Sequence, residues 1–306
     1  MGLNYKNILS ISDLSPEDVR SILKKSMELK KEPFGKKLYG QVLAQIFEKP
    51  SLRTRVSFEL AILEQAGHCI VLRPDEIQMG SREPTKDIAA YLSRNVTIAA
   101  LRVFKHSTLE EFARCASIPV INALSDLEHP CQAIADILTV LEHKENLSGL
   151  KLTYLGDGNN VCHSLMLAAA MTGMSVTVGC PEGYEPLSEY IKKAESLGEA
   201  SGAEIIITNN PDESVLGADV LYTDVWTSMG QESEKEDRKQ IFSNYQLNAN
   251  RLAATNEAIV MHCLPAHRGE EITDEVINSP QSVIFDQAEN RRHAQKAMIM
   301  HAVGIE

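Results

Sequence analysis

Apolar positions along the chain follow two alternating rhythms. Short, nearly continuous runs, many of them rich in β-branched residues, occur at Val42–Phe47, Cys69–Leu72, Thr97–Phe104 and Pro119–Ala123. They recur at Lys151–Gly156, Ser175–Cys180, Glu204–Asn209, Asp219–Val225, Ala258–Pro265 and Ser282–Asp286. Runs of this length and composition predict buried strands. Between most of them the apolar spacing is helical. Val19, Ile22, Leu23 and Met27 share one face, as do Ile134, Ile137, Leu138 and Leu141 within a helix over His129–His143. Ser15-Pro16-Glu17-Asp18 offers a cap followed by a proline whose missing N–H is harmless there. Ser107-Thr108-Leu109-Glu110 has the spacing of a capping box. The charged run Glu232–Lys239 reads as a solvated helix face.

Strand–helix alternation implies βαβ units and parallel sheets. The expected fold is α/β, with two domains, each a mainly parallel sheet flanked by helices, joined by interdomain helices. The polar stretch Glu145–Gly149 marks the boundary, giving a first domain over residues 1–145 and a second over 146–288. A C-terminal helix, about Glu289–Ala302 within residues 289–306, is expected to pack back on the first domain.

Composition narrows the function. Thirty Lys+Arg against 42 Asp+Glu give a formal charge of −12, which argues against non-specific nucleic-acid binding. No apolar run approaches the roughly 20 residues of a membrane helix, and the N-terminus reads as neither a signal nor a transit peptide, so a cytoplasmic protein without a membrane partner is expected. Six cysteines, at 69, 115, 131, 162, 180 and 263, form no CxxC pair, and the spacings around His129, Cys131, His262 and Cys263 are not those of a zinc site. Neither a metal nor a cofactor is expected.

In open α/β sheets ligands bind beyond the carboxyl ends of the strands. Polar residues collect there. Ser51-Leu52-Arg53-Thr54-Arg55 lies where a strand becomes a helix, and a helix N-terminus with added hydroxyls and guanidiniums suits a phosphate. Arg102 ends another strand. His129 and Gln132, three apart at a helix start, share a face and are placed to donate to one carbonyl oxygen. Gly156-Asp157-Gly158-Asn159-Asn160-Val161 half-matches a dinucleotide fingerprint, with Val161 at the third glycine position; a tight turn with asparagine caps is the plainer reading. His262-Cys263-Leu264-Pro265 closes an apolar run. There Cys263 is either core filler or a functional thiol, and Pro265 allows a cis bond.

Taken in order, these motifs resemble the aspartate/ornithine carbamoyltransferase family over Leu9–Ala302. Ser51–Arg55 resembles its S-T-R-T-R motif, His129–Gln132 its H-P-x-Q, and Asp224-Val225-Trp226-Thr227-Ser228-Met229-Gly230 its ornithine-type D-x-W-x-S-M-G. His262–Pro265 resembles its H-C-L-P, and Ala288-Glu289-Asn290-Arg291 its A-E-N-R. The resemblance implies that the first domain binds carbamoyl phosphate and the second the amino acid, in a homotrimer with sites at subunit interfaces. Carbamoyl phosphate would be held by Ser51, Leu52, Arg53, Thr54, Arg102, His129, Gln132, Cys263, Leu264 and Arg291, with Gln78 reaching a neighbouring subunit's site. Ornithine would be held by Asn160, Asp224, Ser228, Met229 and Cys263. The catalytic set would be Arg53, Arg102, His129, Asp224 and Cys263, with Arg55 in support, and the loop around Ser228–Gly230 would be a mobile lid. Leu52 stands where the family has threonine, which removes a hydroxyl but keeps the backbone N–H. The implied reaction is carbamoyl transfer to the δ-amine of L-ornithine, giving L-citrulline and phosphate in arginine metabolism. Putrescine, N-acylornithine and aspartate remain alternative acceptors, and a non-catalytic binding protein is the alternative class.

Overall fold

The computed structural model describes residues 6–228 and 230–305. Contacts divide them into two units, one running to Leu138 and resuming at Glu289, the other spanning Thr139–Ala288. The first contains α1 (Pro16–Lys31), β1 (Val42–Phe47), α2 (Leu52–Leu63), β2 (His68–Leu72), α3 (Pro74–Ile77), α4 (Thr85–Leu92), β3 (Ile98–Arg102), α5 (His106–Cys115), β4 (Val120–Leu124) and the start of α6 (Pro130–Lys144). The second contains β5 (Lys151–Leu155), α7 (Asn160–Met171), β6 (Ser175–Gly179), α8 (Ser188–Ser201), β7 (Ile205–Thr208), α9 (Pro211–Ser214), β8 (Val220–Thr223), α10 (Lys235–Phe242), α11 (Ala249–Ala253), β9 (Ile259–His262), α12 (Asp274–Ile277) and the start of α13 (Ile284–Ala302). Thus α6 and α13 each begin in one unit and end in the other.

All named strand pairs are parallel. The first sheet has the order β2-β1-β3-β4, with Ala44 opposite both Ile70 and Ala99. The second has the order β7-β6-β5-β8-β9, with Leu152 opposite both Val176 and Val220. Strands sandwiched between helices need apolar side chains on both faces, which is why these segments are runs rather than alternations. The first core gathers Ala44, Ile46, Leu101, Phe112 and Val120 from sheet and helices. The second gathers Leu155, Leu221, Val260, Ile272 and Ile284. Helix α7 is buried from Val161 through Met171, so it carries no polar stripe at all.

Each sheet reverses its winding direction once. In the first, the connection after β1 leads to β2 on one side, and β3 lies on the other. In the second, β6 and β8 flank β5 in the same way. Such switch points leave a crevice beyond the strand ends. The Ser51–Arg55 segment and Arg102 follow β1 and end β3. The Gly156–Asn160 turn and Asp224 follow β5 and β8.

Three local expectations change. Ser282–Asp286 is not a strand: one bridge from Ser282 to Val260 is followed by α13, which starts at Ile284 rather than near Glu289. Ser107 caps nothing, because α5 starts one residue earlier and its His106 N–H is taken by Asp126 Oδ1 at 2.7 Å. A distant carboxylate thus replaced the local hydroxyl. The run Glu232–Lys239 is not wholly solvated, since Arg238 is buried at 4% exposure. The predicted Ser15 cap does form, with Ser15 and Asp18 exchanging hydrogen bonds at the start of α1. The end of α13 is tied into the first unit by Lys296, fully buried, whose Nζ donates to Pro33 O at 3.1 Å and pairs with Glu64.

Gly158 explains half of the glycine motif. Its N–H donates to Tyr184 O at 2.9 Å, and a Cβ there would stand 2.2 Å from Pro186 N and 2.4 Å from Glu185 C. The glycine is demanded by a close passage of the chain against itself. Gly158→Ala is therefore expected to destabilise the protein by about 1–3 kcal/mol, the usual cost of forced overpacking. Denaturant unfolding of the two proteins checks this; an unshifted midpoint would mean that the Glu185–Pro186 segment yields freely.

Candidate active site

Polar side chains gather into one cluster in each unit. In the first, Ser51 caps α2, its Oγ accepting from Thr54 N at 3.2 Å. The cap leaves the opening N–H groups of α2, and its positive dipole end, at the switch point. Leu52, at the first helical position, is 74% exposed, so its side chain adds little to packing within this chain. Arg53 is half-buried. Arg55 departs from expectation: it is exposed and pairs with Glu59 at 2.8 Å, one turn along the helix. That is an ordinary surface ion pair.

Arg291 ties this segment to two helices. Its Nη1 donates to Gln132 Oε1 at 2.6 Å and its Nη2 to Thr54 Oγ1 at 3.0 Å. Gln132 Nε2 in turn donates to Asp136 Oδ1 at 2.7 Å. Gln132 thus orients Arg291, and the bond to Asp136 takes one of the two amide protons it has to donate. The Thr54 hydroxyl, already accepting from Arg291, keeps its own proton to donate. His129, just before α6, is 5% exposed, and Arg102, the last residue of β3, is 7% exposed. Burial, with help from the Arg291 and Arg102 guanidiniums, holds the His129 imidazole well below its usual range. His129 is therefore a neutral donor beside two buried cations, an arrangement fit for a phosphoester anion with a carbonyl next to it. Gln78 stands apart at an exposed turn with φ of 46°, where its carbonyl accepts from Ser81 N and Arg82 N.

The second cluster centres on Asp224, directly beyond β8. Oδ1 accepts from Cys263 Sγ at 2.9 Å and Val225 N at 2.8 Å, while Oδ2 accepts from Asn159 Nδ2 at 2.9 Å. Asn159 is also the cap of α7, accepting from Val161 N and Cys162 N at 2.9 and 3.1 Å. Those two N–H groups are the ones a dinucleotide pyrophosphate would need, so the glycine motif is a capped turn and not a cofactor loop. The Tyr154 hydroxyl donates to the same Asn159 oxygen at 3.2 Å, and burial together with Asp224 keeps that phenol protonated.

Cys263 is half-buried and bonded to Asp224, which favours the functional over the core-filling reading. Leu264 follows with φ of 58° and a cis bond to Pro265. Its N–H donates to His262 Nδ1 at 2.9 Å, and His262 Nε2 meets the buried Glu271 Oε1 at 3.1 Å. This pairing puts the imidazole proton on Nε2. Asn160 and Ser228 are half-buried, Ser228 N donating to Gln231 Oε1 at 3.0 Å, and Met229 lies outside the described residues. Asp224, His262 and Cys263 place ligand-type atoms within 4.8 Å of one another, as do His267, Glu270 and Glu271. A cation at the first group would have to displace the bonds just described, because both His262 nitrogens and the thiol are engaged.

Asp136, Asp157, Arg238 and Glu271 were not singled out from the sequence for these roles, and Asn159 was expected only as a cap, which it is, and not as the donor to Asp224. Asp136 was legible as the i+4 neighbour of Gln132. Asp157 lies in the glycine turn, where burial pushes its carboxyl up to about 6 against the pull of Arg238. Glu271 carried no local signal, since its partner His262 is nine residues earlier and on another element.

Comparisons with known proteins agree with this geometry. Residues 6–142 match the aspartate/ornithine carbamoyltransferase carbamoyl-P binding domain, and residues 148–302 the Asp/Orn binding domain of that family. The ornithine carbamoyltransferase of Archaeoglobus fulgidus is 51% identical over 306 residues, covering 98% of each chain. The solved ornithine carbamoyltransferase of Pyrococcus furiosus superposes with a TM-score of 0.95 at 46% identity, covering 98% of this chain and 97% of that one. A solved acetylornithine transcarbamylase complexed with acetylcitrulline reaches 0.89 at 29% identity, covering 98% and 99%. The chain belongs to the aspartate/ornithine carbamoyltransferase family.

Proposed function

We propose that the protein transfers the carbamoyl group of carbamoyl phosphate to the δ-amine of L-ornithine, giving L-citrulline and phosphate, in arginine metabolism. The observation that carries this reading is the division of charge between the clusters. Buried Arg102 and Arg291 beside a neutral His129 suit an acyl phosphate, while Asp224, bonded to Cys263 and Asn159, suits an amine. An aspartate acceptor would bring a second carboxylate to a cluster built on one. The relatives at 46–51% identity quoted above are named for ornithine, which supports the same choice.

The chemistry needs three things. The dianionic leaving group needs cations, a role for Arg53, Arg102 and Arg291. The oxygen of the carbamoyl carbonyl gains charge as the amine adds, so donors aimed at it strengthen in the transition state. Neutral His129, the Thr54 hydroxyl and Arg102 fill that role. Ser51, the Leu52 N–H and Gln132 complete the phosphate side, Gln132 through Arg291. Finally the nucleophile must be neutral. With a lysine-like pKa of about 10.4, deprotonating it at pH 8 costs roughly 3 kcal/mol. Asp224 and Cys263 orient the amine and relay its proton to the Asp224 carboxylate, the thiol passing its own proton to Oδ1 as it takes the amine's, while the new C–N bond forms and the C–O bond to phosphate breaks. Asn160, Ser228, Met229 and the Leu264 backbone hold the rest of the substrates. We read Gln78 as reaching a neighbouring subunit of a homotrimer, a reading supported by its exposed turn. No helix among the described residues is long and apolar enough to cross a membrane.

The direct test offers carbamoyl phosphate with ornithine, N-acetylornithine, putrescine or aspartate and follows the new ureido group. Product with ornithine alone is expected. Product with another amine would overturn the acceptor, and no product with any of them would point to a binding protein.

Two further outcomes follow from the clusters. Arg53→Ala should melt within a few degrees of the parent while weakening carbamoyl phosphate binding by about tenfold or more, the loss of one charge-assisted contact. Calorimetric titration reads this, and unchanged affinity removes Arg53 from the site. At low ornithine, kcat/KM should climb between about pH 6 and 8, because the neutral amine fraction rises with pH. His129 is already neutral there, so His129→Asn should lower the rate and keep the slope. A variant with a flat profile would make His129 the titrating group.

A further inference from the structure

Arg238 sits on α10, in a stretch of chain whose composition reads as solvent-facing, yet it is 4% exposed. Its guanidinium fork joins two loops. Nε donates to Trp226 O at 2.6 Å, and Nη2 donates to Asp157 Oδ2. Trp226 lies two residues beyond Asp224, and Asp157 two residues before Asn159, the residue that donates to Asp224 Oδ2. The same guanidinium lies over the rings of Tyr184 and Phe242, at 4.9 and 5.4 Å from their centroids. Tyr184 O is also the acceptor of Gly158 N. Every one of these contacts lies in the second unit.

We infer that Arg238 is a positioning residue for the amino-acid substrate, acting through the Trp226 carbonyl and Asp157 to hold Asp224 and Asn159 in register. The inference rests on the reading of the Asp224 cluster given above. Its basis is geometric. The two loops leave β5 and β8 separately, and the Asp224–Asn159 bond closes them at the crevice. The Arg238 fork closes them a second time, two residues away on each loop, at Asp157 and Trp226. Two closures of the same pair of loops hold the Asp224 carboxylate in direction as well as place, which a single hydrogen bond does not do. The fork itself is specific to arginine: a lysine ammonium is a point donor and cannot span both acceptors with the same planar geometry. Tyr184 and Phe242, in edge contact with each other, pack together against the guanidinium and help fix it.

The test compares the parent with R238Q, R238K and D157N, measuring ornithine KM, kcat, carbamoyl phosphate affinity by calorimetry and thermal melting. R238Q should raise the ornithine KM by about tenfold or more while leaving carbamoyl phosphate affinity within about twofold. R238K and D157N should shift the same constant in the same direction by a smaller factor. A purely structural role predicts a different pattern, a lower melting temperature and less active enzyme with both substrate constants unchanged; that pattern overturns the inference. So would an ornithine KM within about twofold of the parent in R238Q. If R238Q does not fold, R238K and D157N carry the decision on the same readout. Absence of ureido product from the parent enzyme with ornithine would instead reject the acceptor assignment, and the KM for the amine actually used then tests Arg238.

Discussion

A single carboxylate organises the second unit's chemistry. Asp224 is 6% exposed, and an ionised group at that depth persists only if its oxygens are satisfied. The donors come from three places: the turn after β5, its own loop after β8 and the strand end of β9. Since β5, β8 and β9 are adjacent in the sheet, the carboxylate stands in the middle of three consecutive strand ends. The strand order that creates the crevice therefore also supplies the donors. The asparagine cap of α7, the cysteine after β9 and the Arg238 brace all make sense as conditions on that one group.

The first unit solves the opposite problem with the same topology. Arg102, at the end of β3, and Arg291, within α13, must be buried while their charge remains directed at an anion. A guanidinium stripped of water costs several kcal/mol if left uncompensated. Arg291 is held by an amide and a hydroxyl, and the nearest carboxylate in that chain of bonds, Asp136, stands one residue removed behind Gln132. These two bonds orient the guanidinium through neutral groups.

Much of this was legible because parallel sheets impose coarse rules. Buried strands must be apolar runs, and chemistry must cluster at their carboxyl ends, so nine of the strands and the positions of Ser51, Arg102, Asp224 and Cys263 relative to them follow from periodicity. The failures lie elsewhere. Ser282–Asp286 has strand composition but only one bridge available at the sheet, and α13 claims it from Ile284. Ser107 has the capping spacing but loses to Asp126, which is distant in sequence. Arg238 lies in a charged run, and Glu271 pairs across elements with His262. For Ser107 and Arg238 the deciding partners, Asp126 and Asp157, are far away in sequence, so no short window contains them; for Glu271 the partner is near but on another element, with no periodicity linking the two. Gln132 is subtler: its amide oxygen takes Arg291, a partner 159 residues away that its place on the helix face did not reveal.

The bonded partners of the buried charges separate them into two kinds. Lys296 pairs with Glu64, and Arg238 with Asp157: opposite charges in direct contact, with fields that largely cancel a short distance away. The bonds from Arg291 to Thr54 and Gln132, and those to Asp224 from Asn159, Cys263 and a backbone N–H, are instead with neutral groups. Neutral donors and acceptors offset the loss of water without cancelling the net charge. A group held this way keeps its net charge for an ion of opposite sign. A buried ion pair offers an incoming ligand little, because its charge is already spent on its partner. The distinction assigns Arg291 and Asp224 to ligands, and Lys296 and Arg238 to the scaffold that holds the ligand-binding groups in place.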